Sequence, residues 1–150
     1  MKLLVQRSKN SKVTIDGKIN GEISHGYVVL VGLTHEDNET IVDKMIDKLI
    51  NLRIFEDNEG KMNLSLLDVN GEVLSISQFT LYADASGGRR PSFVNAMKPE
   101  EASRLYDYFN EKLRSKNIKV ETGIFGADMK VEIYIDGPVT IMLDSKELIK

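Results

Sequence analysis

The chain has no cysteine, no tryptophan and only three prolines. The missing cysteines exclude thiol nucleophiles, disulfide staples, thiolate-bound zinc and iron–sulfur clusters in one step, and they fit a reducing compartment, so a cytoplasmic location is expected. Long hydrophobic runs are lacking too: near the start only Leu3, Leu4 and Val5 precede Gln6 and Arg7, far short of a signal core or a membrane span. Positive charge is not in excess. Twenty Lys and Arg stand against 23 Asp and Glu, a net charge of −3, which argues against a broad, sequence-blind grip on phosphates and leaves room only for a small local contact with nucleic acid.

Conventional catalytic signatures are scarce as well, with no G-x-S-x-G elbow, no H-E-x-x-H and no Walker loop. His25 and His35 are the only imidazoles. His35-Glu36-Asp37 could ligate a metal on paper, yet three consecutive residues cannot converge on one ion from a regular element, and acidic residues ahead of a helix suit its dipole. No metal and no other cofactor is expected.

What is present is an ordinary globular composition, 41% hydrophobic over 150 residues, enough for one self-sufficient core and a single domain over residues 1–150. Residues 2–7 and 12–15 read as short strands, with Asp16-Gly17 as a turn. The run Tyr27-Val28-Val29-Leu30-Val31-Gly32-Leu33 is apolar without alternation, the pattern of a central strand covered on both faces. Ile41, Met45, Leu49 and Leu52, widened by Val42 and Ile46, predict a helix over 39–52. Residues 53–55 and 62–69 read as extended, Asn70-Gly71 as a tight turn, and 72–82 as one long strand. A second helix starts at Pro99, with Ala102, Leu105, Tyr106, Phe109 and Leu113 as its buried stripe. Residues 119–125, 130–136 and 139–143 read as closing strands. The order predicts an α+β fold, two main helices covering a mostly antiparallel sheet or partial β-barrel.

Two places hold unexplained polarity. Ser77-Gln78-Phe79-Thr80 puts hydroxyls and an amide into an otherwise apolar strand, so these groups either satisfy neighbouring backbone or face a cleft. Thr80 as a nucleophile would need a base, and none is close in sequence. Gly137-Pro138 interrupts two strand-like runs; it is either a cis turn presenting its carbonyls or an ordinary strand break or bulge. Residues 83–91 form a Gly- and Arg-rich loop in which Arg89 and Arg90 are either phosphate contacts or solvated charges.

The stretches Ser77-Gln78-Phe79-Thr80-Leu81-Tyr82-Ala83 and Gly137-Pro138-Val139-Thr140 resemble the two signature motifs of the D-aminoacyl-tRNA deacylase family. Further likeness runs through Gln6-Arg7, Leu52-Arg53-Ile54-Phe55, Lys61-Met62-Asn63, Arg90-Pro91-Ser92-Phe93 and Phe125-Gly126-Ala127-Asp128-Met129, in the expected order. Ile135 stands where the family pattern would put Asn, and residues 8–11 are more polar than usual. The resemblance implies that family's fold and a cytoplasmic homodimer that hydrolyses the ester joining a D-amino acid to the terminal adenosine of tRNA. It implies that Ser77, Gln78, Phe79 and Thr80 form the catalytic pocket floor on a strand, with the Phe79 amide holding the reacting carbonyl and the ribose 2′-hydroxyl assisting. Gly137 and Pro138, cis and inserted from the partner subunit, would filter chirality, with Arg7 bracing them. The implied partner is the acceptor end of tRNA; no membrane or DNA partner is expected. Glycyl-tRNA, which offers no side chain to exclude, is an expected second substrate. The alternatives are a non-catalytic nucleic-acid-binding module on the same fold and a small-ester hydrolase with Thr80 as nucleophile.

Overall fold

Strands β1 (Lys2–Ile15) and β2 (Lys18–Gly32) form one long antiparallel hairpin, turning through Asp16 and Gly17, both left-handed at φ 51° and 76°. Two consecutive positive φ angles give a primed turn, whose twist matches that of the flanking strands. In this computed structural model, which describes residues 1–149, the hairpin is the middle of a five-stranded sheet. Helix α1 (Glu39–Asn51) follows, capped by the Asn38 side chain, which accepts the Ile41 amide. The short strands β3 (Phe55–Glu56) and β4 (Met62–Leu64) pair with each other outside the main sheet. Then come β5 (Glu72–Ser77), a 3-10 turn (Phe79–Tyr82), helix α2 (Pro99–Arg114), β6 (Val120–Thr122), β7 (Lys130–Asp144) and a one-turn helix α3 (Ser145–Leu148).

The sheet order is β6-β5-β2-β1-β7. Its three long strands pair antiparallel, whereas β5 joins β2, and β6 joins β5, in parallel. The fold is thus α+β as expected, with an open sheet and no closed barrel. Alternate residues of β2 feed opposite cores. Tyr27, Val29 and Val31 enter the larger cluster beneath α1 and α2, where Met45, Ile46, Leu49, Leu105, Phe109 and Leu113 are fully buried. Val28 joins Val13, Ile23, Leu74 and Ile76 on the other face, under Met129, Val131 and Ile133. That two-sided burial is why the run from Tyr27 shows no alternation.

Several expected boundaries move, each for a structural reason. Residues 2–7 and 12–15 are one strand, because β1 lies between two long neighbours and its polar middle pairs with both. Residues 130–136 and 139–143 are likewise one strand, continuous through Gly137-Pro138 as a bulge. The extended reading of 53–55 and 62–69 shrinks to β3 and β4, and that of 119–125 to Val120–Thr122. Most consequentially, the strand expected over 72–82 ends at Ser77. Its last partner is Val31, and one residue later β2 itself ends.

Gly26 sets how closely β5 approaches β2. It holds φ 135°, and a Cβ there would lie 1.9 Å from the Glu72 carbonyl oxygen. Gly26→Ala is expected to cost more than about 3 kcal/mol in urea unfolding, whereas a loss below about 1 kcal/mol would show that β5 can move aside.

Candidate active site

The chain leaves the sheet at Gln78, whose amide is spent on the Val31 carbonyl at 2.8 Å. With no β2 residue left to pair, residues 79–82 coil into the 3-10 turn, closed by the Leu81 amide on the Gln78 carbonyl at 3.3 Å and the Ala83 amide on the Thr80 carbonyl at 3.0 Å. Leu81 packs over Gly32, where a Cβ would come within 2.9 Å of the Leu81 Cβ. The Phe79 and Thr80 amides stand at the first positions of the turn, and neither donates to a protein acceptor among the described residues. Initial amides of a helical turn lack intrahelical partners and are free for a ligand or water.

Beside this turn opens an apolar cleft of about 470 Å³. Ser77 and Phe79 line one side, continued by Val31 of β2 and by Leu33 just past its end. The opposite wall is the segment Phe93–Lys98 together with Pro99 and Ala102 of α2, and Phe125 and Gly126 close the end. Phe79, about half exposed, meets Phe93 edge to face with ring centroids 5.1 Å apart, so the two rings join the walls. The far wall is held by the backbone: the Met97 amide donates to the Leu33 carbonyl at 3.0 Å, and the Thr34 hydroxyl to the Asn95 carbonyl at 2.6 Å.

Of the four residues singled out in this motif, Ser77 and Phe79 line the cleft, and Gln78 and Thr80 do not. The Gln78 side-chain amide donates to the Thr80 hydroxyl. No imidazole or carboxylate bonds to Thr80 among the described residues. His35 does not line the cleft; exposed, it donates its Nε2–H to the carbonyl of the far-wall residue Val94 at 2.6 Å, and His25 lies in the other half of β2. Tyr82, the buried last residue of the turn, is pushed above the usual phenol pKa by burial and then by the charges of Asp37, Asp144 and Glu36, so it stays protonated and supplies no base. Among the described residues no three of His, Asp and Glu come together as a metal site.

Gly137 and Pro138 are elsewhere. Their peptide bond is cis, and both are exposed on β7, an outer strand of the sheet. Gln6 pairs with Thr140 and Ser8 with Ile135, so residues 136–139 bulge opposite Arg7 alone. Arg7, 6% exposed, fills that bulge. Its Nε–H donates to the Asp136 carbonyl at 3.0 Å and an Nη1–H to the Ile54 carbonyl at 2.8 Å, with the Asp136 and Glu56 carboxylates 3.7 and 3.9 Å away. Three strand spacings and four residues of rise separate this bulge from Ser77, roughly 20 Å by sheet geometry. Arg89 and Arg90 are exposed in the loop pinched off by the Asp84–Ser92 bridge.

Sequence reasoning assigned no role to Phe93, Met97 or Phe125, and placed Ala102 only in a buried stripe. Phe93 and Phe125 stood in stretches of family likeness, which was the one available signal.

An α+β protein with an apolar cleft at the point where a parallel strand leaves an open sheet is the class these features define. The chain belongs to the D-Tyr-tRNA(Tyr) deacylase family, whose model matches residues 4–144. A D-aminoacyl-tRNA deacylase of Bacillus cytotoxicus is 57% identical over 146 residues, covering 97% of this chain and 100% of the relative. One from Bacillus velezensis is 55% identical, covering 98% and 100%. Among solved structures, a c-Myc DNA unwinding element binding protein matches with TM-score 0.90 at 41% identity, over 96% of this chain and 98% of that one. A probable eukaryotic D-amino acid tRNA deacylase matches with TM-score 0.81 at 17% identity, over 95% and 97%, a likeness of fold.

Arg7→Lys is expected to lower stability by about 1–3 kcal/mol in urea unfolding, because one ammonium cannot serve the Asp136 and Ile54 carbonyls in their two directions. An unchanged midpoint would show that water replaces the guanidinium without loss.

Proposed function

We propose that the protein hydrolyses the ester between a D-amino acid and the terminal ribose of tRNA, as one deacylase domain acting in the cytoplasm. The observation that carries this reading is a turn with two unpartnered amides beside an apolar cleft and no base on its Thr80 hydroxyl. Such a site suits a substrate that is already reactive. An aminoacyl ester needs only to be positioned, met by water, and relieved of charge on its carbonyl oxygen as the tetrahedral centre forms. The Phe79 amide is the donor for that oxygen, and the carbon–oxygen bond to the ribose then breaks, the ribose oxygen taking a proton. The ribose 2′-hydroxyl assists the attack. Thr80 as a nucleophile is disfavoured, since its oxygen accepts from Gln78 and meets no base. The cleft, walled by Phe93 and Phe125, is of a size and polarity to hold a base and ribose.

Chirality is assigned to Gly137 and Pro138 acting in a second subunit's site. Roughly 20 Å from their own cleft, exposed and buttressed by Arg7, they are available to a neighbouring copy of the chain and not to their own cleft. Gripping the substrate's α-amino group with their carbonyls, they would drive an L side chain into the turn and let a D side chain point outward. Glycyl-tRNA, with no side chain to exclude, is cleaved as well. Arg89 and Arg90 reach the phosphates of the acceptor end; no DNA or membrane is involved. A second reading, a nucleic-acid-binding module without catalysis, draws on the 41% identical c-Myc DNA unwinding element binding protein.

D-tyrosyl-tRNA and L-tyrosyl-tRNA, offered side by side to wild type, Thr80→Ala and Pro138→Ala protein that sizes as a dimer, test the proposal. Rapid loss of the D ester alone, kept within about tenfold in Thr80→Ala and losing its D-over-L preference in Pro138→Ala, is the expected result. Cleavage of neither ester by folded wild type would favour the binding module, and a monomer would end the shared site. For the loop, Arg89→Ala is expected to reduce the slope of log affinity against log salt by about 0.7–0.9, one phosphate contact; an unchanged slope removes that residue from the interface.

A further inference from the structure

A second cavity, of about 520 Å³, lies further along α2. Phe125 is the one residue that lines both it and the cleft. On the helix the two follow one another: Pro99 and Ala102 wall the cleft, and Tyr106, Asn110 and Arg114, at four-residue spacing, wall the second cavity. Residues 122–125 form its other side. The Ser75 carbonyl ties the two sides together, accepting the Tyr106 hydroxyl at 2.7 Å and the Gly123 amide at 3.4 Å.

Asn110 is out of place there. Asparagine is a poor helix former, yet this one stands inside α2 at 3% exposure, and its Oδ1 is buried without a hydrogen-bond partner among the described residues. An unpaired buried amide oxygen destabilises a fold, so its retention calls for an explanation outside the packing. Tyr106 fixes which way the amide faces. Burial pushes the Tyr106 phenol above its usual pKa, and hydrogen bonds with Ser75 and Asn110 oppose that shift, as an amide N–H beside the phenol oxygen does. The Asn110 nitrogen is thus committed to Tyr106, which leaves the oxygen to a ligand. The rim narrows the choice of ligand. Asp107 and Glu111, both exposed, offer further acceptors. Arg114 offers N–H groups, its guanidinium held by the Glu111 carboxylate at 2.8 Å and the Val120 carbonyl at 3.1 Å. Two carboxylates repel a phosphate from this cavity, whereas a flat ring with an amino group beside ring acceptors suits the whole set. Cytosine has that edge.

We propose that this cavity takes the cytosine of the nucleotide before the terminal adenosine of tRNA, its exocyclic amino group donating to Asn110 Oδ1 and its ring nitrogen N3 turned to Arg114. The inference rests on the deacylase reading above and extends it from one nucleotide to two. Every tRNA ends in cytidine-cytidine-adenosine, so reading this position rejects no tRNA while it excludes other RNA ends. With the adenosine in the cleft, Phe125 stands between consecutive bases, as aromatic side chains do when they hold single-stranded RNA. Uracil, of the same outline, is refused by its edge. Its O4 carbonyl would meet Asn110 Oδ1 with no proton between them, and its N3–H would meet the guanidinium.

The test uses three stable analogues in which D-tyrosine is joined by an amide to 3′-amino-3′-deoxyadenosine: the nucleoside alone, and the same group carrying a 5′ cytidine or a 5′ uridine. Affinities are measured by calorimetry at one salt concentration on wild type, Asn110→Leu and Arg114→Ala. On wild type the cytidine analogue is expected to bind at least about tenfold tighter than the uridine analogue. In Asn110→Leu, which replaces the orphan oxygen at similar volume and should keep or raise the melting midpoint, the two should bind within about twofold of each other. Arg114→Ala should shrink the preference at least about threefold, and it decides the matter if the leucine variant fails to fold. Equal affinity of the two dinucleotides for wild type overturns the proposal. So does a pair of dinucleotides that bind no tighter than the nucleoside, or a cytidine preference that survives intact in the folded variants. Failure of the inference alone shows as binding of the nucleoside analogue, or cleavage of D-tyrosyl-tRNA, without a choice between cytidine and uridine. A wild type that binds none of the three and cleaves no aminoacyl ester fails the deacylase reading, and the inference falls with it.

Discussion

The parallel pairing of β5 on β2 runs from Gly26 opposite Glu72 to Val31 opposite Ser77, and where it stops the cleft begins. A strand inside a sheet has its amides and carbonyls committed, so nothing there is free to bind a ligand. One residue past the last pair, Gln78 makes a single bond back to Val31, and the backbone turns out of the sheet with two amides unspent. The rigid part of the chain therefore ends beside its reactive-looking part, and the cleft borrows its rigidity from strands buried on both faces. The closeness of Gly26 to Glu72 and of Gly32 to Leu81 belongs to the same arrangement, one glycine at each end of the paired stretch.

The periodic parts of this fold were legible in the sequence. The α2 stripe is buried residue for residue, and in α1 Val42, Met45, Ile46 and Leu49 are buried with Ile41 and Leu52 half-buried at the ends, because a helix packed on one face writes its period into the chain. The unbroken apolar run of β2 announced a central strand for the same reason. What misled was local propensity. Phe79-Thr80-Leu81-Tyr82 is rich in strand-forming types, yet it coils, because strand formation needs a neighbour and β2 has already ended. At Gly137-Pro138 the cis turn and the bulge were both among the open readings, and only the split into two strands was wrong. An outer strand can absorb a proline and a bulge without ending, given a side chain such as Arg7 to occupy the gap.

The site was legible only in part. Ser77 and Phe79 do line the cleft, but most of its far wall comes from the segment 93–98, whose residues carry no chemistry that composition would flag. A cleft made of Phe93, Met97, Ala102 and Phe125 is written as ordinary hydrophobicity, and only the fold shows that these side chains face a gap and not one another. The reverse holds at Met1, an unremarkable first residue in sequence whose nitrogen proves to be one end of a buried ion pair.

The bulge on β7 also bears on solubility. β7 is 15 residues long and lies at the margin of the sheet, with Tyr134, Ile135 and Met142 exposed along it. An uninterrupted margin of that length would be a template on which strands of other molecules could add without limit. Pro138 has no amide to offer such a strand, and the four residues bulged opposite Arg7 throw the two halves of the margin out of line. The bulge that presents Gly137 and Pro138 thus also divides a sticky edge into two short ones, so a drift toward a flatter, better-paired β7 would raise the propensity to form fibres.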